Sequence, residues 1–281
     1  MMASSRRLHT LWRKDETTLR GRVLLKVGGS LNGQHLDSIT TVLSELHRLK
    51  VPVVLVHGGG PRITAALKEA GIQAPFVDGQ RVTTIEAMDI VERVLAKEVN
   101  QELAMALANG GFRTTGMSGA DDILYATGVP GLGRVGQVTR VNPAPVLKRL
   151  DEGLLPVIAP IGVGEGQERY NINADLAAGA LAGAIEASRI VFLTDVPGIY
   201  SDFAAQELLH LTTKEELLRL QSEGRFEAGM IPKVNAVLST LSAGVGAAYV
   251  VHGADADAML WAVTSPLHET RDSRLGTRVI A

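Results

Sequence analysis

The sequence predicts an α/β fold, a three-layer αβα sandwich in which helices cover both faces of a central, mainly parallel sheet. Three observations support this prediction. Short runs of β-branched and other apolar residues alternate with segments of helical periodicity along most of the chain. Two of these runs, at residues 23–27 and 53–56, each lead directly into glycines and then into a predicted helix. The apolar runs also lack the strict alternation of a half-exposed sheet, so both faces of the sheet are expected to be covered.

The strand–turn–helix unit at residues 53–62 reads VVLVHGGGPR. Pro61 suits the first position of a helix, because its missing N–H would be unpaired there in any case. Gly59 and Gly60 allow the backbone to come close to a ligand, and the free N–H groups of the helix start favour an anion. A simple tight turn between strand and helix explains the same glycines. The unit is therefore a candidate phosphate site.

A second copy of this arrangement lies upstream, at residues 22–30, which read RVLLKVGGS. Lys26 stands inside the predicted strand near its carboxyl end, and Gly28 and Gly29 form the turn. An unpaired buried lysine is costly, so Lys26 is expected to face a site or a partner charge. Ligands of open α/β sheets bind at the carboxyl ends of the strands. Together, the two units predict a site for phosphates and another anion.

The remaining elements follow in order from periodicity and turn residues. Residues 76–84 have no clear period and are expected to form a loop or short hairpin, and the stretch 113–122 carries SGADD, at residues 118–122, as a polar turn. Residues 131–136 read GLGRVG and match G-x-G-x-x-G, but no strand precedes them and no helix follows, so a glycine-rich hairpin is predicted. Helices are predicted at residues 84–109, 146–153, 168–187, 212–223, 235–243 and 256–263, and strands at 155–161, 190–195, 247–252 and 276–280.

Composition limits the classes of function. The chain has 281 residues, a net charge of −2 and 4% aromatic residues, which argues against a nucleic-acid surface. No apolar run reaches the length that spans a membrane. The absence of cysteine excludes disulfides and thiolate zinc sites and fits a reducing, cytoplasmic setting. Residues 1–21 are polar and are predicted to be a flexible leader.

Polar residues cluster at other predicted element ends. Asn171, Asn173 and Asp175 stand at the start of the predicted 168–187 helix, where helix capping requires only one of them. Thr212 is the expected cap of the 212–223 helix. Lys233 lies near a helix start, against the preference of the helix dipole, so it is expected to hold an anion. A solvated lysine is the alternative interpretation.

This inventory of two lysines, two glycine turns and a group of Asn and Asp residues fits phosphoryl transfer. Such a reaction needs positioning and charge stabilisation, and little covalent chemistry from the protein. Two ammonium groups flanking the transferred phosphoryl would neutralise its oxygens, and glycine N–H groups would hold the other phosphates. An aspartate between the lysines would keep both of them charged and oriented.

Several motifs, in this order along the chain, carry a resemblance to a known family: KVGGS, VHGGGP, GQRVT, YNINAD, TDVPGIY, GMIPKV and GTRVIA. From residue 22 to residue 281 the sequence resembles the amino-acid kinase family. The resemblance implies an ATP-dependent kinase that phosphorylates the side-chain carboxylate of N-acetyl-L-glutamate in arginine biosynthesis. Mg²⁺ would be carried by the ATP phosphates, with no metal ligand from the protein.

The resemblance also implies roles for individual residues. Lys26 and Lys233 would stabilise the transferred phosphoryl, with Asp175 orienting both lysines. Acetylglutamate would be bound by Gly59, Gly60, Arg81 and Asn171, and the planar Arg81 guanidinium suits its α-carboxylate. ATP would be bound by Gly28, Gly29, Thr194, Asp195, Gly198, Tyr200, Gly229, Met230 and Ile231.

At the level of architecture, the resemblance implies an N-terminal lobe at residues 22–175, which binds the acetylated amino acid and forms a homodimer. Residues 176–281 would form the ATP-binding lobe. Neither the leader nor residues 268–274 match the pattern of the arginine-inhibited hexameric members, so an arginine-insensitive dimer is predicted. Two alternatives stay open: a kinase for carrier-protein-bound aminoadipate or glutamate in lysine biosynthesis, and a catalytically silent sensor of the same fold.

Overall fold

The computed structural model describes residues 21–29, 33–227, 230–267 and 275–281. Within these residues an eight-stranded sheet runs in the order β14-β16-β15-β11-β1-β2-β8-β5. Its strands are β1 (Arg22–Val27), β2 (Val53–His57), β5 (Thr114–Ser118), β8 (Leu155–Ala159), β11 (Ala187–Thr194), β14 (Leu211–Thr213), β15 (Ala247–His252) and β16 (Thr277–Ile280). Every pairing in this sheet is parallel except β15 with β16.

Helices cover both faces of the sheet, as the sequence predicts. They are α1 (Gly33–Arg48), α2 (Gly60–Glu69), α3 (Ile85–Glu92), α4 (Asn100–Asn109), α5 (Ala144–Asp151), α6 (Ala174–Ala184), α7 (Lys214–Ser222), α8 (Ile231–Ser242) and α9 (Ala256–Thr264). Alternate residues of β1 enter opposite cores: Leu24 joins the core beneath α6 and α8, whereas Leu25 joins the core beneath α1 and α9. The αβα sandwich is therefore confirmed.

A small closed barrel lies beside the main sheet and was not predicted. It consists of β6 (Leu124–Gly128), β7 (Val135–Val141), β9 (Ile161–Val163) and β10 (Arg169–Ile172). The hairpin prediction for residues 131–136 is confirmed, because β6 and β7 pair antiparallel around them. The prediction of a helix from residue 168 is wrong, since β10 occupies its first residues and α6 begins at Ala174.

The polar turn predicted at SGADD is confirmed, since residues 119–123 form a turn directly after the edge strand β5. One further prediction is corrected. The cap of α7 is Thr213, whose side chain accepts a hydrogen bond from the Glu216 N–H, while Thr212 lies in β14. The hairpin at residues 76–84 is confirmed by the antiparallel pair β3 (Phe76–Val77) and β4 (Gln80–Arg81).

The helix predicted at residues 84–109 is continuous but not uniformly α-helical. Thr84 caps α3, and a π-helical segment, Arg93–Val99, joins α3 to α4. π-Helical turns are rare and occur often at functional sites. Here the segment places Leu95 against Gly59 of the second glycine turn: a methyl group on Gly59 would lie 2.6 Å from Leu95 Cδ2.

Three predictions fall outside the described residues: the leader at residues 1–20, the ATP contact of Gly229, and the 268–274 segment. Strands from both halves of the chain share the main sheet, since β1 pairs with β2 on one side and with β11 on the other. The division into lobes at residue 175 stays a prediction. No helix in the described part of the chain is both long and apolar enough to cross a bilayer.

Candidate active site at the carboxyl end of the sheet

The two glycine turns lie side by side because β1 and β2 are neighbouring parallel strands. The Gly58 N–H donates to the Val27 carbonyl at 2.9 Å, which ties the second turn to the end of β1. A methyl group on Gly29 would lie 2.8 Å from the Gly60 nitrogen and 3.0 Å from the Gly59 nitrogen. Only glycine permits this approach, so the two turns form a single backbone rim at the start of α2. Free N–H groups at such a helix start favour an anion.

Lys26 lies beside this rim and is paired with a carboxylate. Its Nζ is 2.8 Å from Asp175 Oδ1, and the two side chains are only 12% and 19% exposed. Asp175 lies in the first turn of α6, where the Asn173 side chain caps the helix by accepting from the N–H groups of Asp175 and Leu176. The helix dipole stabilises a negative charge in this position. The pair therefore holds an ammonium group at the carboxyl end of the central strand.

Lys233, in the first turn of α8, has a different partner. Its Nζ lies 3.9 Å from Asp195 Oδ1 at the end of β11, and the Asp195 side chain is 84% exposed. Among the described residues Asp175 pairs with Lys26 alone, so the expectation that one aspartate contacts both lysines is not met in this structure. Lys26 thus pairs with an aspartate in the first turn of α6, whereas Lys233 lies near an aspartate that directly follows β11.

A cavity of about 240 Å³ opens next to the Lys26–Asp175 pair. Its walls combine apolar side chains with the polar groups that sequence reasoning singled out. Both glycine turns, Arg81 and Asn171 line it, together with Ile63, Phe76, Leu95, Val135 and Pro160. A mostly apolar pocket with a few convergent polar groups is the usual form of a small-molecule site. The predicted acceptor residues are thus brought together, although they come from distant parts of the chain.

Arg81 is a buried cation in this cavity. It is 8% exposed, and its Nη2 donates to Thr64 Oγ1 at 2.6 Å and to the Gly60 carbonyl at 3.2 Å. The Phe76 ring lies 4.5 Å from the guanidinium carbon. Within the described residues no carboxylate lies at ion-pair distance from Arg81. Burial lowers the pKa of Arg81, yet an arginine stays charged in proteins, so this site has an uncompensated positive charge that favours an anionic ligand.

Asn171 reaches the cavity from β10, and its Nδ2 donates to Thr83 Oγ1 at 3.1 Å. Because Asn171 lies on a strand and not at a helix start, helix capping does not explain why an asparagine stands at this position. Thr64 and Thr83 were not predicted as site residues. Thr83 belongs to the GQRVT segment that carries the family resemblance, whereas only the position of Thr64 near the start of α2 could have indicated it.

His57 ends β2 directly before the second glycine turn and is fully buried. Its Nδ1 is 2.9 Å from the Gly58 carbonyl, which can only accept, so Nδ1 carries the proton. Its Nε2 accepts from Asn100 Nδ2 at 3.0 Å, and the same amide donates to the Val157 carbonyl at 2.8 Å. Burial lowers the pKa of His57 to about 4. The neutral imidazole therefore links the glycine turn to the helix that follows the π-helical segment.

This environment predicts a loss of stability in mild acid. The folded-state pKa of about 4 lies below the ordinary value of about 6.5, so the unfolded chain takes up more protons between these two pH values. We expect the free energy of unfolding to fall as the pH drops through this window, by about 3 kcal/mol from His57 alone. Urea unfolding at several pH values measures this slope. His57→Gln should flatten it, whereas His47→Gln, at an exposed position of α1, should not.

Of the described residues predicted to bind ATP, Gly29 lines the cavity and the others lie outside it. A methyl group on Gly28 would meet only the Leu193 carbonyl, at 3.4 Å. Thr194 closes its own turn by donating to and accepting from Val196. Packing explains Gly198, since a methyl group there would lie 2.5 Å from Thr277 Oγ1, and Tyr200 is buried edge-on against Phe203. Met230 and Ile231 begin α8 beside Lys233. Their role toward ATP stays a prediction.

Comparison with known proteins gives a family. The profile of the amino acid kinase family matches residues 21–252. The chain belongs to the amino acid kinase family. A family member from Syntrophomonas wolfei, named acetylglutamate kinase, is 36% identical over 267 residues, which cover 92% of this chain and 91% of that protein. Another acetylglutamate kinase, from Gluconacetobacter diazotrophicus, is 41% identical over 249 residues, covering 82% of this chain and 78% of that protein.

Solved structures share the fold of this chain. N-acetylglutamate synthase from Neisseria gonorrhoeae, solved with coenzyme A and N-acetyl-glutamate, superposes with a TM-score of 0.80. The alignment covers 100% of this chain and 64% of that one at 20% sequence identity. At this identity the likeness concerns the fold alone.

Proposed function

We propose that this protein is an acetylglutamate kinase, which transfers the γ-phosphoryl group of ATP to the side-chain carboxylate of N-acetyl-L-glutamate. The observation that carries this proposal is the cavity in which Arg81, a buried cation without a carboxylate partner among the described residues, faces the same space as the Lys26–Asp175 pair and the glycine turns. The names of the family members described above support the same activity. Arginine biosynthesis is the pathway that this activity would serve.

The substrate has an anionic group at each end, and the cavity offers a positive group for each. The α-carboxylate would bind Arg81, whose planar guanidinium can hold both oxygens. Asn171 would contact the acetylated amino group, because its amide oxygen and its second N–H make no hydrogen bond to the part of the chain that the structure describes. The side-chain carboxylate would then lie at the backbone rim of Gly59 and Gly60, beside Lys26. The apolar walls leave room for the acetyl methyl group.

The reaction would depend on charge stabilisation by this chain's lysines. The Lys26 ammonium, oriented by Asp175, would neutralise oxygens of the transferred phosphoryl on the acceptor side. Lys233 would do the same from the nucleotide side, after leaving the exposed Asp195 carboxylate. Backbone N–H groups of both glycine turns would hold phosphate oxygens without any covalent step. The product is an acyl phosphate.

ATP would bind over residues 176–281, near Thr194, Asp195 and the start of α8, with residues 22–175 holding the acceptor. Mg²⁺ neutralises phosphate charge when it is bound. No group of three or more His, Asp or Glu side chains in the described part of the chain could hold a metal ion. Mg²⁺ usually keeps several water ligands and is held through substrate phosphates, so the ATP phosphates would carry it here. We also propose a cytoplasmic homodimer that is insensitive to arginine.

A hydroxylamine trap tests the proposed function directly. An acyl phosphate reacts with hydroxylamine to give a hydroxamate, and ADP release is followed in parallel. N-acetyl-L-glutamate, L-glutamate, L-aspartate and N-acetyl-L-aminoadipate are compared, with Lys233→Ala as the inactive control. We expect a hydroxamate from N-acetyl-L-glutamate that is lost in the variant.

Other outcomes would change the assignment. ADP release without any hydroxamate would indicate hydrolysis rather than transfer. If no free acid gives ADP or a hydroxamate, the substrate would instead be an aminoadipate or glutamate bound to a carrier protein. If the carrier-bound substrate is not turned over either, the protein would be a catalytically silent sensor. A product from N-acetyl-L-aminoadipate as well would show a loose pocket, since one methylene separates such ligands by only about 1–3 kcal/mol.

A further inference from the structure

We propose that Thr83 is a positioning residue that fixes Arg81 and Asn171 in one geometry. This inference rests on the proposed function, because it concerns the acceptor site. Thr83 is fully buried, and its hydroxyl contacts both residues. Oγ1 donates to the Arg81 carbonyl at 2.7 Å and accepts from Asn171 Nδ2 at 3.1 Å. One hydroxyl thus joins two elements that lie 88 positions apart in the sequence.

The hydroxyl also decides which end of the Asn171 amide is left for a ligand. A threonine hydroxyl has a single proton, and here the Arg81 carbonyl receives it. Only the oxygen lone pair faces Asn171, so the amide must turn its nitrogen toward Thr83. No protein hydrogen bond to Asn171 Oδ1 is present among the described residues. The threonine therefore presets the amide with its acceptor oxygen and one N–H available.

Backbone contacts hold Thr83 itself in place. Its N–H donates to the Leu132 carbonyl at 3.1 Å, and its carbonyl accepts from the Arg134 N–H at 2.6 Å. The Asn171 N–H in turn donates to the Arg134 carbonyl at 2.8 Å. The segment after β4, the β6–β7 loop and β10 are thereby joined in a single network. With its backbone fixed from both sides, Thr83 cannot follow Arg81 or Asn171 if either one moves.

This network also gives a role to the GLGRVG segment, which the proposed function leaves unexplained. Gly133 has φ +67°, and a methyl group there would lie 2.3 Å from the Thr83 carbonyl oxygen. A side chain at residue 133 would push the loop away from Thr83 and break the Arg134 hydrogen bond. The segment that resembles a nucleotide fingerprint is thus required for the acceptor side of the site.

Thr83→Val tests the proposal, because valine keeps the shape and removes only the hydroxyl. The Arg81 carbonyl and the Asn171 amide then both lose their partner. We expect the KM and the calorimetric Kd for N-acetyl-L-glutamate to rise roughly tenfold, the effect of losing one or two neutral hydrogen bonds. The kcat and the KM for ATP should change less than about threefold, because the two hydrogen bonds of the Thr83 hydroxyl go to Arg81 and Asn171 on the proposed acceptor side. Thr83→Ser, which restores the hydroxyl, should recover most of the affinity.

The outcomes separate the inference from the proposed function. The positioning role would be overturned if Thr83→Val bound N-acetyl-L-glutamate as tightly as the wild type, or if Thr83→Val and Thr83→Ser lost the same affinity. An equal rise in the KM for N-acetyl-L-glutamate and the KM for ATP would also overturn it. If the valine variant does not fold, Thr83→Ala and Thr83→Ser are compared by the same calorimetry and must differ in the same direction. If the wild-type protein binds N-acetyl-L-glutamate but forms no hydroxamate, the kinase proposal fails, whereas the binding comparison still decides the role of Thr83.

Discussion

Lys26→Met is expected to lower kcat by about two to three orders of magnitude, the usual loss when one preorganised charge-stabilising group is removed. Lys26 lies on the central strand β1, and its Nζ is held 2.8 Å from Asp175 Oδ1. Its ammonium group therefore needs little reorganisation to meet the transferred phosphoryl. Methionine keeps the unbranched apolar stem that packs within the strand. The KM for N-acetyl-L-glutamate should change far less than kcat, because the lysine acts mainly on the transition state.

The control for this experiment must remove the unpaired carboxylate that the variant leaves behind. In Lys26→Met, Asp175 would be a mostly buried charge without its partner, and part of the loss could then come from local destabilisation. The double variant Lys26→Met with Asp175→Asn removes that charge, so its melting temperature should recover while kcat stays low. Lys68→Ala, at an exposed position of α2, should behave as wild type. Recovered turnover in the double variant would contradict a direct role for Lys26.

Arg81→Ala is expected to raise the KM for N-acetyl-L-glutamate by about a hundredfold, because a buried charge pair with the α-carboxylate would be lost. Arg81 is enclosed by Thr64, Phe76 and the Gly60 carbonyl, with no carboxylate of its own in the described structure. Its charge is therefore free for the ligand. Arg81→Lys should recover only part of the affinity, since an ammonium group cannot make the two parallel hydrogen bonds of a guanidinium.

Arg62 is the matched control for this second prediction. It is also an arginine close to the glycine turn, but it is 47% exposed and paired with Glu98 and Glu102. Exposed ion pairs contribute only about 0–1 kcal/mol, so Arg62→Ala should leave KM nearly unchanged. Steady-state kinetics with both substrates varied measures the effect. Equal increases of KM in the two variants would indicate a general electrostatic attraction rather than a specific contact of Arg81.

The parts of the fold that were predictable from sequence are those with strong local patterns. β1 and β2 consist mostly of apolar residues and lead into glycines, so their strands, turns and the edge carrying Lys26 follow from periodicity and from the rule for α/β sheets. The barrel was not predictable in this way. Its strands are short and include glycines such as Gly128 and Gly136, whose small size suits close packing against Tyr170 but weakens every propensity signal.

The candidate site, like the fold, was only partly predictable from the sequence. Lys26 and the glycine turns could be placed from residues alone, because they lie on adjacent strand ends. Asn171 was assigned to a helix start, since its strand is four residues long and runs directly into α6. The partner of Lys233 could not be inferred, because the distance between α8 and the end of β11 is set by tertiary packing. No local sequence pattern indicates the role of Thr83, because that role depends on a contact with Asn171, which lies 88 positions away in the sequence.

Strand β1 lies inside the sheet, hydrogen-bonded to β2 of the proposed acceptor half and to β11 of the proposed nucleotide half. A hinge through this region would have to break backbone ladders on one side of Lys26. A closing motion around the two substrates would therefore disturb the sheet least if it came from elements outside the sheet, such as the β3–β4 hairpin and the start of α8. The Lys26 ammonium would then stay in place during the reaction, while both N-acetyl-L-glutamate and ATP are brought toward it.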